Sequence, residues 1–328
     1  MDMTDPSIFP KEVARQYDRP KILIIGANSK ISEGMRRVFS TFSRRYSLYW
    51  TARTESTFTD VTTQNNIYTG FDILNRKQLK ELCLQIQPDF IINTTAYTNV
   101  DGAEVEKKRA WEVNVQGVEN LVAICRLIDA HLIHFSTDYI FDGRSGPYGE
   151  SDIPQPQSYY GKTKLAGENA CIGGHINYTI IRTNVLYGST STNKPDFVMW
   201  FLQQLAIKKK LYIVNDQYSN PTFIDDVACL VEKIIRTRAP GIMNAGGADW
   251  ISRFAFAQKI ASVFKENNVE ILPISTRELE QKAPRPLRGG LVSIKAETLL
   301  GMKFCGVESG LLSTRKYLQL AGHHEWTL

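Results

Sequence analysis

The chain has 328 residues, of which 43% are hydrophobic and 22% charged, so its composition predicts a globular protein with a sizeable core. The net charge of +5 comes from scattered Lys and Arg residues, which argues against nucleic acid as a partner. Five cysteines without CxxC spacing argue against a zinc site or a disulfide framework, and no apolar run reaches the roughly 18 residues of a membrane span. These features predict a soluble, cytoplasmic protein with no membrane partner and no metal site.

Short apolar segments alternate with helical patterns over the first half of the chain. The first segment, Lys21–Ile25, is β-branched and ends at Gly26, as a buried parallel strand does. Further strands are predicted at residues 47–51, 89–93, 131–135 and 178–182, with helices around 77–86 and 109–129. This alternation predicts βαβ units, and therefore an α/β fold with a parallel, doubly wound sheet.

The turn after the first strand is a candidate dinucleotide site. Such a site needs a tight turn whose N–H groups and following helix N-terminus face a pyrophosphate. Ser29 and Ser32 stand where glycines are usual, and a serine Cβ hinders close approach of the phosphate and the helix. An ordinary strand-to-helix turn is the alternative interpretation. The predicted cofactor contacts in this turn are Gly26, Asn28, Ser29, Lys30 and Ile31.

The end of the second strand selects between the two nicotinamide cofactors. An acidic residue there would bind the free ribose hydroxyl of NADH and repel a 2′-phosphate, but the first carboxylate is that of Glu55. Arg53 is placed to bind a 2′-phosphate bidentately, which favours NADPH and leaves NADH open; a solvent-facing arginine is the alternative. Asp72 and Ile73 are predicted to lie near the adenine.

Two segments further along the chain carry a candidate catalytic set. Tyr160 and Lys164 are four residues apart in a helical pattern, which places them on one face of the helix. A nearby ammonium stabilises the phenolate of a tyrosine, whose pKa is otherwise near 10. Thr137 follows the fourth strand at its carboxyl end, where parallel sheets bind ligands, and is predicted to orient a substrate oxygen toward Tyr160.

Several longer segments resemble the dTDP-4-dehydrorhamnose reductase family, a group of extended short-chain dehydrogenases/reductases. They are residues 134–143 (HFSTDYIFDG), 158–168 (SYYGKTKLAGE), 93–101 (NTTAYTNVD), 113–117 (VNVQG) and 214–222 (VNDQYSNPT). The resemblance runs from about residue 20 to about residue 312. It implies an NAD(P)-binding Rossmann domain and a smaller C-terminal nucleotide-sugar lobe. We therefore predict an extension at 1–20, the Rossmann domain at 21–185 with some later segments interleaved, and a mainly substrate-binding lobe at 186–328.

The resemblance also implies an activity, the reduction of a 4-keto sugar nucleotide, most simply dTDP-4-dehydro-L-rhamnose to dTDP-L-rhamnose. It implies Thr137, Tyr160 and Lys164 as the catalytic set. Further implied cofactor contacts are Thr95, Ala96, Tyr97 and Asn114, together with Tyr160 and Lys164. Implied substrate contacts are Val100, Asp101, Tyr139, Phe197, Trp200, Gln217 and Arg285.

Departures from the family pattern keep other functions open. The serine-substituted turn affects the predicted cofactor contacts. The Arg288-Gly289 pair stands where the family has Asn-Ser, and it affects the predicted substrate contacts. One alternative is a non-catalytic subunit resembling the regulatory subunit of methionine adenosyltransferase, and another is a sugar-nucleotide epimerase or dehydratase. A homodimer is also left open.

Four further titratable residues are predicted to be structural. His131 and His134 lie on one strand without a third ligand at metal spacing. Asp225 and Asp226 begin a helical pattern, where carboxylates favour the helix N-terminus. None of the four is assigned to the site.

Overall fold

The computed structural model describes residues 19–42, 44–54, 66–191, 195–265 and 269–323. Most of the predicted extension, residues 1–18, and Glu55 lie outside the described residues. In these residues no helix combines the length and the apolar character needed to cross a membrane.

The first half of the described chain alternates strands and helices. In chain order it contains β1 (Lys21–Ile25), α1 (Lys30–Ser40), β2 (Ser47–Thr51), β3 (Asn66–Tyr68), α2 (Arg76–Ile86), β4 (Phe90–Asn93), α3 (Val100–Val105), α4 (Lys107–Trp111), a π-helical segment (Glu112–Gln116), α5 (Gly117–Ile128), β5 (His131–Thr137), a 3₁₀ turn (Asp138–Ile140), α6 (Tyr159–Ile172) and β6 (Tyr178–Thr183).

The second half has shorter strands and more helices. It contains β7 (Leu186–Tyr187), α7 (Phe197–Leu205), β8 (Lys210–Val214), β9 (Tyr218–Ser219), β10 (Thr222–Phe223), α8 (Ile224–Thr237), β11 (Gly241–Ala245), β12 (Ile251–Ser252), α9 (Arg253–Phe264), β13 (Glu270–Ile274), α10 (Thr276–Leu279), α11 (Ile294–Leu300) and α12 (Val307–Leu320).

Seven parallel strands form the central sheet, in the order β11-β6-β5-β4-β1-β2-β3. Strand β1 pairs with β2 on one side and with β4 on the other, so that Ile22 lies opposite both Leu48 and Phe90. The direction in which successive strands are added reverses at β1, and such a reversal opens a crevice beyond the carboxyl ends of the strands. The predicted α/β fold with a parallel, doubly wound sheet is confirmed.

The two faces of the sheet are buried under different helices. Ile22 and Ile24 belong to a core cluster that includes residues of α1, α8 and α11. Leu23 and Ile25 belong to a second cluster with residues of α2, α5 and α6. Alternate residues of β1 therefore serve opposite faces, and all four are fully buried, as a central parallel strand requires.

A third core cluster joins helices α7, α9 and α12 with the two-stranded sheet of β8 and β13. Tyr187, Phe201 and Phe256 are its largest fully buried side chains. The chain returns to the central sheet between these elements, because β11 pairs with β6 at the edge of that sheet. The elements that follow β6 thus contribute both to the central sheet and to a separate group of helices.

The helix expected over residues 109–129 is interrupted. The α-helical part ends at Trp111, and Glu112–Gln116 is π-helical before α5 begins at Gly117. Single π-helical turns inside helices are rare and occur frequently at functional sites. Asn114 lies in this segment, and its side chain supports a loop of the candidate site.

Candidate functional site

A cleft of about 1690 Å³ opens beyond the carboxyl ends of β1, β2, β4, β5 and β6. Most of the predicted site residues line it. They are Gly26, Asn28, Ser29, Lys30, Ile31, Arg53, Asp72, Ile73, Thr95, Ala96, Tyr97, Val100, Thr137, Tyr139, Tyr160, Lys164 and Phe197. The predicted cofactor turn and the predicted catalytic set thus share one cleft.

The turn between β1 and α1 is held by its own hydroxyl groups. Gly26 has φ +103°, and a Cβ there would lie 2.5 Å from the Thr94 hydroxyl. Ser29 caps α1 by accepting from the N–H of Ser32, and its hydroxyl donates to Thr94 Oγ1 at 2.9 Å. The hydroxyl of Ser32 donates to the Gly26 carbonyl at 2.8 Å, and Ser32 is fully buried and does not line the cleft. Of the two substituted positions, only Ser29 therefore faces a ligand.

The end of β2 presents Arg53, which is exposed at the rim of the cleft. Arg36 of α1 places a second guanidinium in this region. It donates to the Ala27 carbonyl at 2.7 Å, and its guanidinium carbon lies 5.7 Å from the centroid of the Trp50 ring. Arg36 lines the cleft but was not predicted. Its spacing from Ser29, seven residues or two helical turns, is the signal that would have placed it on the same helix face.

Tyr160 lies in the first turn of α6, buried beside Thr137. The Tyr139 ring packs edge-on against the Tyr160 ring, with centroids 5.7 Å apart. Burial raises the pKa of Tyr160, and a hydrogen bond with Thr137 opposes that rise. We expected the ammonium of Lys164 to favour the phenolate, but burial dominates here, so Tyr160 is a neutral phenol.

Lys164 is buried one helical turn after Tyr160, and its Nζ donates to the Phe135 carbonyl at 2.6 Å. Burial lowers the pKa of Lys164 to about 8. The lysine is therefore mainly an ammonium at pH 7 and loses its proton in the weakly alkaline range.

His134 lies behind Lys164, and its neighbours determine its tautomer. Asn93 Oδ1 accepts from both the N–H and the hydroxyl of Thr95, so the Asn93 amide nitrogen faces His134 Nδ1 at 3.2 Å. Nδ1 must then accept, and burial lowers the pKa of His134, which keeps the ring neutral with its proton on Nε2. Nε2 lies 3.5 Å from Lys164 Nζ, and a protonated Nε2 accepts nothing from the lysine. The Phe135 carbonyl is thus the acceptor that orients Lys164.

Asn114 does not line the cleft but fixes part of its wall. Its Oδ1 accepts from the Tyr97 N–H at 2.8 Å, and its Nδ2 donates to the Tyr97 carbonyl and to Thr163 Oγ1. Asn114 is almost fully buried. It therefore holds the loop of Tyr97 against α6.

The remaining predicted substrate residues lie outside the cleft lining. Arg285 donates to Asp101 Oδ2 at 2.7 Å, which ties the segment before α11 to α3. Gln217 donates to the side chains of Thr276 and Gln281. Trp200 stacks on Phe197, with centroids 5.5 Å apart.

Besides Arg36, the cleft lining includes Ser136, Thr183 and Arg253, which were not predicted from the sequence. Ser136 is the last but one residue of β5 and Thr183 is the last residue of the adjacent β6, and their hydroxyls are buried without a hydrogen-bond partner among the described residues. Arg253 begins α9 and enters the cleft from the second group of helices. In the sequence, only the position of the two hydroxyl residues near strand ends could have indicated that they line the cleft. No sequence feature indicates this for Arg253.

The titratable residues predicted to be structural make internal contacts. His131 Nε2 pairs with Thr179 Oγ1 at 2.8 Å. Asp225 lies in the first turn of α8 and accepts from Arg37 at 2.6 Å. Within the described part of the chain, no three His, Cys, Asp or Glu side chains are grouped as metal ligands would be.

Residues 20–319 match the family described as the RmlD substrate binding domain. A dTDP-4-dehydrorhamnose reductase from Sinorhizobium fredii is 34% identical over 258 residues, which cover 75% of this chain and 85% of the relative. The solved structure of a dTDP-4-dehydrorhamnose reductase from Bacillus anthracis, in complex with NADP, is 28% identical with a TM-score of 0.77 and covers 90% of this chain and 98% of that one. A Clostridium acetobutylicum structure of the same description is also 28% identical, with a TM-score of 0.79 and coverage of 91% and 99%. The family match extends over the cleft residues as far as Tyr317.

Proposed function

The chain belongs to the RmlD substrate binding domain family, and from this premise we propose that it is an NAD(P)H-dependent oxidoreductase that reduces a 4-keto sugar nucleotide. The resemblance to dTDP-4-dehydrorhamnose reductases inferred from the sequence is confirmed by that membership. The substrate we propose is dTDP-4-dehydro-L-rhamnose, with dTDP-L-rhamnose as the product. One observation carries the proposal: a buried, neutral Tyr160 lies beside Thr137 in the same cleft as the dinucleotide-type turn.

NADPH is the cofactor we assign, and the described residues fit it. The N-terminus of α1 and the turn at Gly26 offer backbone N–H groups to a pyrophosphate. The buried hydroxyls of Ser136 and Thr183 both line the cleft and lack partners within the described chain, and unpartnered polar groups of this kind suit a polar ligand such as the cofactor. Arg53, at the end of β2, suits the 2′-phosphate that distinguishes NADPH from NADH.

Three side chains provide the protein's part of the chemistry. When bound, NADPH supplies the hydride that reduces the ketone carbon. Tyr160 is protonated at neutral pH and donates its proton to the developing alkoxide. Thr137 donates a hydrogen bond to the same oxygen, so both groups act where negative charge develops. Lys164, held by the Phe135 carbonyl, supplies a positive charge and donors for the nicotinamide ribose hydroxyls.

The non-catalytic alternative rested on the serine-substituted turn. Ser32 turns into the protein and bonds the Gly26 carbonyl, so it does not obstruct a ligand. Ser29 retains its N–H and caps α1. These contacts remove the reason to expect a disabled cofactor site, and they favour an enzyme over a binding subunit.

The proposal is tested first by titrating the purified protein with NADPH and NADH, and then by assaying reduction of dTDP-4-dehydro-L-rhamnose. Saturable NADPH binding and formation of dTDP-L-rhamnose are expected. Arg53→Ala should raise the Kd for NADPH by roughly 10- to 100-fold while leaving that for NADH nearly unchanged. Arg277→Ala, at an exposed arginine outside the cleft, is the matched control. Binding of neither cofactor would contradict the proposed function, and equal losses for both would contradict the role of Arg53.

A further inference from the structure

Arg253 is a cleft arginine whose charge has no ion-pair partner among the described residues. Its side chain makes no hydrogen bond or ion pair with any described residue. Other arginines of the cleft are engaged: Arg37 with Asp225, and Arg109 with Glu112. A guanidinium presents five donors and stays charged, so Arg253 brings unused donors into the cleft.

The position of Arg253 is fixed by the fold around it. Its N–H donates to the Gln217 carbonyl at 2.9 Å, and Ser252 caps the helix that it begins. The guanidinium lies over the Phe197 ring at 4.7 Å from the centroid, and Phe197 in turn stacks on Phe256 of the core. The side chain is therefore held in place by a ring rather than by an acceptor, which leaves its N–H groups available.

The guanidinium of Arg253 is desolvated, and other titratable groups lie near it. Burial lowers the pKa of Arg253 and the like charge of Arg285 adds to that effect, whereas the nearby Tyr139 and Asp138 oppose it. Tyr139 is neutral, because burial raises its pKa, and Asp138 already accepts from Asn184 and from the Gly290 N–H. A desolvated charge with no ion-pair partner among the described residues is costly, so an anionic ligand at this point would reduce that cost.

We propose that Arg253 binds the diphosphate of the sugar-nucleotide substrate and is a specificity-determining residue for that substrate class. This inference rests on the proposed function, because the diphosphate is the anionic group of such a substrate. Tyr139 connects the two ends of the substrate site: it packs against Tyr160 and lies near Arg253. A substrate with its ketone at Tyr160 and its diphosphate at Arg253 would cross Tyr139. The cofactor pyrophosphate is assigned to a different element, the N-terminus of α1.

The test compares Arg253→Met with Arg238→Met by calorimetric titration with dTDP, thymidine and NADPH. Arg238 is the matched control because it also lies over a phenylalanine ring, Phe90 at 4.8 Å, but outside the cleft. In Arg253→Met the Kd for dTDP should rise by roughly 30- to 100-fold, while the Kd values for thymidine and NADPH stay within about twofold of wild type. The KM for the keto sugar nucleotide should rise by a similar factor with little change in kcat. Arg253→Lys should recover part of the loss.

The outcomes distinguish the role of Arg253 in diphosphate binding from the proposed reductase function. Unchanged dTDP affinity in Arg253→Met would overturn the role of Arg253 and leave the proposed function standing. Loss of NADPH binding together with dTDP binding would show a structural role and would also overturn it. Failure of the wild-type protein to bind dTDP and to reduce the keto sugar would overturn both the inference and the proposed function.

Discussion

Tyr160 works in a setting where burial, rather than a neighbouring charge, determines its protonation. The phenol is almost fully buried, and its pKa lies above its ordinary value. A reductase needs a proton donor at this point, and a phenol that keeps its proton at pH 7 fulfils that need. The edge-on Tyr139 ring packs against the Tyr160 ring, and Tyr160 lines the cleft.

Tyr160→Phe removes the donated proton and preserves the ring. We expect kcat to fall by roughly 10²- to 10⁴-fold, because the developing alkoxide loses its proton source. The Kd for NADPH should stay within about twofold, since the ring packing survives. Stopped-flow reduction and fluorescence titration measure the two quantities. A variant that loses NADPH binding instead would identify Tyr160 as a structural residue.

Lys164 gives the reaction a pH dependence that the tyrosine does not. Its pKa of about 8 means that the ammonium is present below pH 8 and is lost as the pH rises through that value. We therefore expect kcat/KM for reduction to be flat from pH 6 to 7 and to fall above about pH 8. Wild-type rates measured at saturating NADPH between pH 6 and 9.5 check this. A profile still flat at pH 9.5 would contradict the role of the Lys164 charge.

At the scale of elements, α1 depends on one close approach to α8. Gly34 lies where a Cβ would come within 2.7 Å of the Ile224 carbonyl oxygen, so the helices meet at van der Waals distance only without a side chain there. Ile31 and Met35 flank this contact in the core. The N-terminus of α1 also forms the cofactor turn, so the packing of α1 positions that turn.

Gly34→Ala places a methyl group against that carbonyl. Overpacking of this kind should lower the free energy of unfolding by about 1–3 kcal/mol, measured as a shift of the urea midpoint. It should also weaken NADPH binding, because α1 must move. Gly149→Ala is the control, since its Cβ would meet only Asp152 Oδ2 at 3.8 Å. Equal stability of the two variants would show that α1 and α8 tolerate separation.

The elements also show which features were predictable from the sequence. Strand β2 has the predicted bounds, because local apolar runs define buried parallel strands. The π-helical segment was missed because it depends on contacts distant in sequence: Asn114 bonds Tyr97 and Thr163, 17 and 49 residues away. Arg253 was missed for a related reason, since its place in the cleft depends on the packing of α9 against α7. Sequence patterns report local periodicity, and these two features depend on tertiary packing.

At the scale of the whole molecule, one arginine joins segments from both halves of the chain. Arg37 of α1 donates to Asp225 of α8 at 2.6 Å, to Glu33 at 2.9 Å and to the Gly188 carbonyl at 3.0 Å. It also lies under the Tyr317 ring of α12, 4.5 Å from the centroid. The loop after β7 is held to α1 in this way, and that loop contributes to the cleft wall.

Arg37→Met should disrupt this junction. It leaves the carboxylates of Asp225 and Glu33 without their counter-charge in a largely buried place, where the two side chains are only 12% and 16% exposed. Breaking such a pair from one side should lower the free energy of unfolding by about 2–4 kcal/mol, read from urea denaturation with and without NADPH. Arg45→Met is the control, because Arg45 is 58% exposed and lies 3.8 Å from Glu232, so its loss should cost under about 1 kcal/mol. If the junction also maintains the cleft, NADPH should restore less stability to Arg37→Met than to the control. Equal restoration in both variants would show that the junction stabilises the fold without shaping the cofactor site.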